Sequence, residues 1–233
     1  MRKIVWTLLF GLLVLTFVAC NSSGSQAEYE VLDEVVPDND YDNDSTDEAL
    51  IDITPIDPLE RQPEEITHIV IHFISNVIAN RENPYIIEDI LRIFQDYGVS
   101  AHYLIDRDGA IHSVVPENRV AFHAGPGSLA DFPEYEDNLN RHSIGIELLG
   151  IGTQEEMSQF LTVAEYNVLD PSLIGFTDAQ YEALNWLLNG ILARYPTIKP
   201  NRTHIIGHSE WALDKPDPGV LFEWERLDFM NHP

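Results

Sequence analysis

Basic residues are scarce in this chain. Its 13 Lys and Arg stand against 39 Asp and Glu, a formal net charge of -26. That excludes the broad cationic surface that binding to nucleic-acid phosphates demands, and it opposes electrostatic docking on anionic lipid. Cysteine is nearly missing: Cys20 stands alone, which excludes an internal disulfide and any multi-cysteine metal site. There is no internal repeat.

What is present changes character along the chain. Arg2 and Lys3 precede an uncharged, mostly apolar run from Ile4 to Ala19. The run is short for a membrane-spanning helix, which takes about 20 residues, and suits a signal peptide over 1–20. It ends in Phe17-Val18-Ala19-Cys20, which resembles a bacterial lipobox, with Phe17 where Leu is usual. The resemblance implies a lipid on Cys20; the other reading is a leftover cysteine in an uncleaved anchor. Both place the rest of the chain outside the cytoplasm, in the cell envelope. Residues 21–65 contain fifteen Asp or Glu and one basic residue, Arg61. Such a segment buries too little apolar surface to offset chain entropy, so a disordered acidic tether is expected there.

The folded domain is expected over 66–227, with a short tail at 228–233. Strands are read at 66–73, 99–105, 110–115, 143–149 and 203–207, the second and third joined as a hairpin through Asp106-Arg107-Asp108-Gly109. Helical spacing of Ile86, Ile90, Leu91, Ile93 and Phe94 marks a helix ending at Gly98. A second runs over 177–195, opened by the capping-box pair Thr177 and Gln180. A short helix and a loop are expected within 154–167, near a cleft. Mixed strands and helices around a hairpin give an α/β fold, a mixed central β-sheet with helices packed on its faces.

Three stretches near strand ends could carry chemistry: Ile69-Val70-Ile71-His72, Ser143-Ile144-Gly145-Ile146-Glu147, and Gly207-His208-Ser209 followed by Lys215-Pro216-Asp217-Pro218-Gly219. A hydrolytic zinc site takes three nitrogen or oxygen ligands and keeps one position open, which His72, His208 and Asp217 satisfy. Zinc lowers the pKa of its water towards neutrality. Lys215, two residues before Asp217, is placed to stabilise an oxyanion. Glu147 can accept the water proton and pass it to a leaving amine. Taken singly, each of these residues is more often structural than functional.

In order and together, they resemble the type 2 N-acetylmuramoyl-L-alanine amidases, a family that includes peptidoglycan recognition proteins. The resemblance runs from about Ile66 to Trp224. It implies a peptidoglycan recognition protein-like fold and one Zn2+ per chain on His72, His208 and Asp217. It also implies Glu147 and Lys215 as the catalytic pair, and peptidoglycan or muropeptide as substrate. Phe122-His123-Ala124-Gly125 stands where the family often has Trp-His-Ala-Gly, so His123 is a candidate substrate contact, as is Asn140. His102 is read as packed or supporting, Trp211 as a candidate sugar or peptide contact, and the remaining histidines as surface or hydrogen-bonded. Two rival functions stand beside the amidase: a wall-binding module that does not cut, and a zinc hydrolase of another cell-wall amide. A monomer is the default assembly.

Overall fold

A computed structural model describes residues 31–33 and 60–231. The expected signal peptide, Cys20, most of the acidic segment and His232 lie outside the described residues.

Among the described residues six strands form one sheet: β1 (Val31–Asp33), β2 (His68–Ile74), β3 (Tyr103–Ile105), β4 (Ile111–Ser113), β5 (Ser143–Leu149) and β6 (Ile205–Gly207), in the order β1-β4-β3-β5-β2-β6. Only the β3–β4 hairpin pairs antiparallel; the other four pairings are parallel. β5 lies between β3 and β2. The sheet is mixed, as the sequence indicated.

Alternation along the strands divides the two faces. Ile69 and Ile71 of β2 and Ile144, Ile146 and Leu148 of β5 join Tyr181, Leu184, Leu187, Leu188 and Ile191 of helix α4 (Asp178–Arg194) in the largest core cluster. The cap of α4 is the expected one. Thr177 Oγ1 accepts from Gln180 N and Gln180 Oε1 accepts from Thr177 N. Gln180 is also fully buried, and its Nε2 donates to the carbonyls of Ile105 and Leu149 at the ends of two strands. Helix α1 (Ile87–Tyr97) packs on the opposite face, with Ile90 and Phe94 against Leu104 and Leu149. It stops at Gly98, which adopts the left-handed conformation at φ 64°.

On that second face lie α2 (Leu139–His142) and α5 (His208–Trp211), with Leu139, Trp211 and Ala124 packed on Val70 and Ile206. The stretch between β5 and α4 holds α3 (Val163–Tyr166), capped by Thr162 and Glu165, and a small core of its own around Met157 and Leu161. Among the described residues, no helix is long and apolar enough to cross a membrane.

The acidic segment is not structureless throughout. Residues 31–33 pair with 111–113 at the sheet edge, and Glu60 bridges to Arg119. Composition cannot reveal this, because a three-residue strand needs only an open edge, and β4 supplies one. Arg61, the lone basic residue there, is buried and donates to the carbonyls of Glu117, Asn140, Arg141 and Ser143 at 2.6–3.1 Å. The folded domain therefore begins before Arg61.

His68 of β2 is fully buried, and its Nε2 has no hydrogen-bond partner. Burial first, then the nearby His204 and His142, push it from 6.5 down to about 4. Between those values the unfolded chain takes up a proton that the native state refuses. Stability therefore falls as pH drops through that window, by up to about 3 kcal/mol from this group. Urea unfolding near both ends should show a shallower pH slope for His68→Gln than for the parent; equal slopes would assign the acid sensitivity elsewhere.

Candidate active site

The site grows out of strand ends. His72 is the fifth residue of β2 and Glu147 the fifth of β5, directly opposite each other in register. His208 opens α5 immediately after β6. The loop after α5 returns so that Ser209 N donates to Asp217 O at 2.9 Å, bringing Asp217 back beside His208. Gly207 makes the return feasible: a Cβ there would lie 2.5 Å from Pro218 Cδ.

One ligand atom from each of His72, His208 and Asp217 converges, all within 4.8 Å of one another. Asp217 Oδ2 lies 2.8 Å from His72 Nδ1 and 3.0 Å from His208 Nδ1. The three residues are buried. His208 Nε2 is 3.0 Å from the carbonyl of Ala124, which can only accept, so the ring proton sits on Nε2. His208 Nδ1 then presents a lone pair towards a carboxylate oxygen. Acceptors facing one another in a buried place suit a bound cation, and two imidazoles with one carboxylate suit zinc's borderline character.

A cleft of about 320 Å³ opens over this group. Its lining includes Glu147, Lys215 and His123 as well as the three converging residues. Glu147 is buried and its Oε2 has no hydrogen-bond partner. Burial, then the charge of Asp217, push its carboxyl well above the usual carboxylate range. Lys215 is half exposed at the rim. Phe160, from the stretch between β5 and α4, joins Phe94, Val99 and Phe122 on an apolar wall.

β5 explains the spacing of Ser143-Ile144-Gly145-Ile146-Glu147. Ser143, Gly145 and Glu147 share the face turned to the site, while Ile144 and Ile146 enter the core beneath α4. Ser143 Oγ lies 3.2 Å from His123 Nε2. A Cβ on Gly145 would come within 2.4 Å of His123 Cγ, so only glycine leaves room for that ring.

Three candidate contacts look different in place. His123 reaches the cleft, but its Nδ1 is 3.0 Å from His72 Nε2, so both ring nitrogens already face protein groups. Burial, then His72, His102, His208 and Arg61, push it well below the usual histidine range, so it is neutral. Asn140 is absent from the cleft lining. Its Oδ1 accepts from the amides of His123 and Ala124 at 3.0 and 2.8 Å, shaping that turn. Trp211 is buried with Nε1 donating to Gly125 O, which makes it a packing residue and no sugar platform. His102 supports the sheet: its Nδ1 accepts from Gly145 N at 2.9 Å. Sequence reasoning passed over Ser143, whose place two residues before a glycine and four before Glu147 was the available signal.

The model of the N-acetylmuramoyl-L-alanine amidase family matches residues 62–220. The chain belongs to that family. It is 33% identical over 177 residues to the 1,6-anhydro-N-acetylmuramyl-L-alanine amidase AmpD of Haemophilus influenzae, covering 70% of this chain and 82% of that protein. Against the AmpD of Citrobacter freundii, identity is 38% over 136 residues, and the chain spans 58% of that relative's length. Among solved structures, the amidase AmiD of E. coli, in complex with the substrate anhydro-N-acetylmuramic acid-L-Ala-D-gamma-Glu-L-Lys, superimposes with a TM-score of 0.51 at 30% identity. The match covers 70% of this chain and 56% of that one. AmpDh3 of Pseudomonas aeruginosa shares the amidase fold, with a TM-score of 0.50 at 24% identity.

Proposed function

We propose that this amidase-family chain hydrolyses the amide between N-acetylmuramic acid and L-alanine in peptidoglycan fragments, using one zinc ion held by His72, His208 and Asp217. The observation that carries the reading is the convergence of those three ligand atoms within 4.8 Å on the floor of a cleft that also holds Glu147 and Lys215. The AmpD and AmiD relatives support the substrate class.

Zinc, when bound, supplies a Lewis acid that polarises a carbonyl and lowers the pKa of a water. The chain's own residues do the rest. Glu147 takes the proton of the attacking water at its free carboxylate oxygen and returns it to the departing L-alanine nitrogen. Lys215, at the rim, places an ammonium beside the lactyl oxygen as negative charge develops there. The apolar side chains of Phe94, Val99, Phe122 and Phe160 also line the cleft and offer contacts to the uncharged parts of a muropeptide. A lipid on Cys20 would hold the domain at the membrane surface on the envelope side. That part rests on the sequence alone.

Metal analysis and muropeptide digestion of the chain from residue 21 onward test the proposal together. The expected result is about one zinc per chain and EDTA-sensitive release of stem peptides with a free L-alanine amine. Zinc without cleavage would leave a metal-bearing binding module or another amide substrate. No zinc would remove the ligand assignment.

A further inference from the structure

We propose that Glu156 is a positioning residue that sets the width of the active-site cleft, by fastening the segment that carries Phe160 to the loop that carries Lys215 and Asp217. This rests on the amidase reading above and deepens it.

The stretch between β5 and α4 uses one local device twice. At the start of α3, Thr162 N and Oγ1 donate to Glu165 Oε2 at 2.9 and 2.8 Å. Earlier in the same stretch, Thr153 N and Oγ1 donate to Glu156 Oε2 at 2.6 and 2.8 Å. Closing such a turn takes one carboxylate oxygen and leaves the other to spare. In Glu165 the spare oxygen meets the guanidinium of Arg81 in a solvent-exposed pair. In Glu156 it accepts from Val220 N at 2.7 Å, 64 residues further along the chain and just beyond Asp217. The backbone on both sides admits this carboxylate. A Cβ on Gly152 would come within 2.7 Å of Glu156 Oε2, and one on Gly219 within 2.6 Å of Oε1.

The fastening joins two sides of the cleft. Phe160 reaches the cleft from the segment that Glu156 belongs to, and Lys215 and Asp217 reach it from the loop after α5. A more open groove of about 460 Å³ runs between the same two segments, with Thr153 and Gln159 on one side and Leu213 and Val220 on the other. Lys215 lines both cavities. Asp217 has anchors of its own, through Ser209 N and the two histidines. Beyond it, Phe222 N donates back to Gly219 O within the loop, whereas Val220 N crosses to the opposite segment. Loss of the Glu156 carboxylate therefore lets the two sides part without releasing the metal ligands, and a substrate gripped between them is held less well.

Glu156→Ala and Glu165→Ala lose the same local cap, and only the first also loses the contact to Val220. For anhydro-N-acetylmuramic acid-L-Ala-D-γ-Glu-L-Lys, Glu156→Ala should raise KM about tenfold, with kcat within about twofold and zinc content at the parental level. Glu165→Ala should leave KM where it is. A parental KM in Glu156→Ala would overturn the proposal, as would loss of its zinc or an equal rise of KM in both variants. Hydrogen exchange of the parent stands whether or not a variant folds. The Val220 amide should exchange at least about tenfold more slowly than an unstructured chain, and exchange at the unstructured rate would overturn the fastening. A parent that binds the tripeptide without cutting it defeats the amidase reading alone, and Kd then replaces KM in the comparison. A parent that cuts, beside a Glu156→Ala variant with the parental KM, defeats the fastening alone. A parent that neither binds nor cuts defeats both.

Discussion

Glu147→Gln should lower kcat on muropeptide by about 10²- to 10⁴-fold, the range that a positioned acid–base group contributes. Zinc content should stay at the parental level. The side chain enters the cleft opposite His72 but is not among the three converging ligands, and its Oε2 has no competing partner. Glutamine keeps the volume and the polarity while removing the ability to take up and release a proton. KM should change little, because the group acts chiefly in the transition state. Steady-state kinetics paired with metal analysis of the same sample settles it. A variant that turns over at the parental rate removes Glu147 from the chemistry. One that loses zinc makes it a ligand.

His208→Ala should fail in the other way, losing metal and turnover together. Two ligands do not make a hydrolytic zinc site, which takes three. The loss of affinity should exceed the roughly 100-fold that an outer partner costs at most. Stability offers an independent readout. Zinc bound only by the native state stabilises it by about 2.7 kcal/mol at a hundredfold excess over Kd. The parent should therefore melt higher with added Zn2+, whereas His208→Ala should show no such shift at the same concentration. A variant that retains both the shift and activity would exclude His208 from the metal centre.

Much of this arrangement was legible along the chain. Apolar runs ending in His72 and Glu147 gave parallel neighbours in matching register, because both strands bury alternate residues beneath α4. Thr177 and Gln180 marked the start of a helix, since a capping box is a local device. What stayed hidden depended on contacts distant in sequence. His123 meets His72 across 51 residues and Ser143 across 20, and nothing local distinguishes a histidine serving a ligand from one serving a substrate. Asn140 read equally well as a turn residue or a contact until its carboxamide was placed on two backbone amides. Arg61 looked like a stray charge in an acidic stretch because its acceptors are carbonyls 56 to 82 residues away. Trp211 carried the composition of a sugar platform, but its burial against Gly125 is a matter of packing.

The position of β2 between β5 and β6 bears on the order in which the molecule can assemble. Both pairings of β2 are parallel and join distant parts of the chain, and His72 and Asp217 are 145 residues apart. Such long-range closures come late and slowly, after local helices and the β3–β4 hairpin have formed. A metal ion cannot template the early steps, because its ligands meet only when the last strand has docked. A metal ion held by His72, His208 and Asp217 would act instead as a clasp on a finished sheet, binding β2 to the segment after β6 and slowing the opening of the edge that closes last.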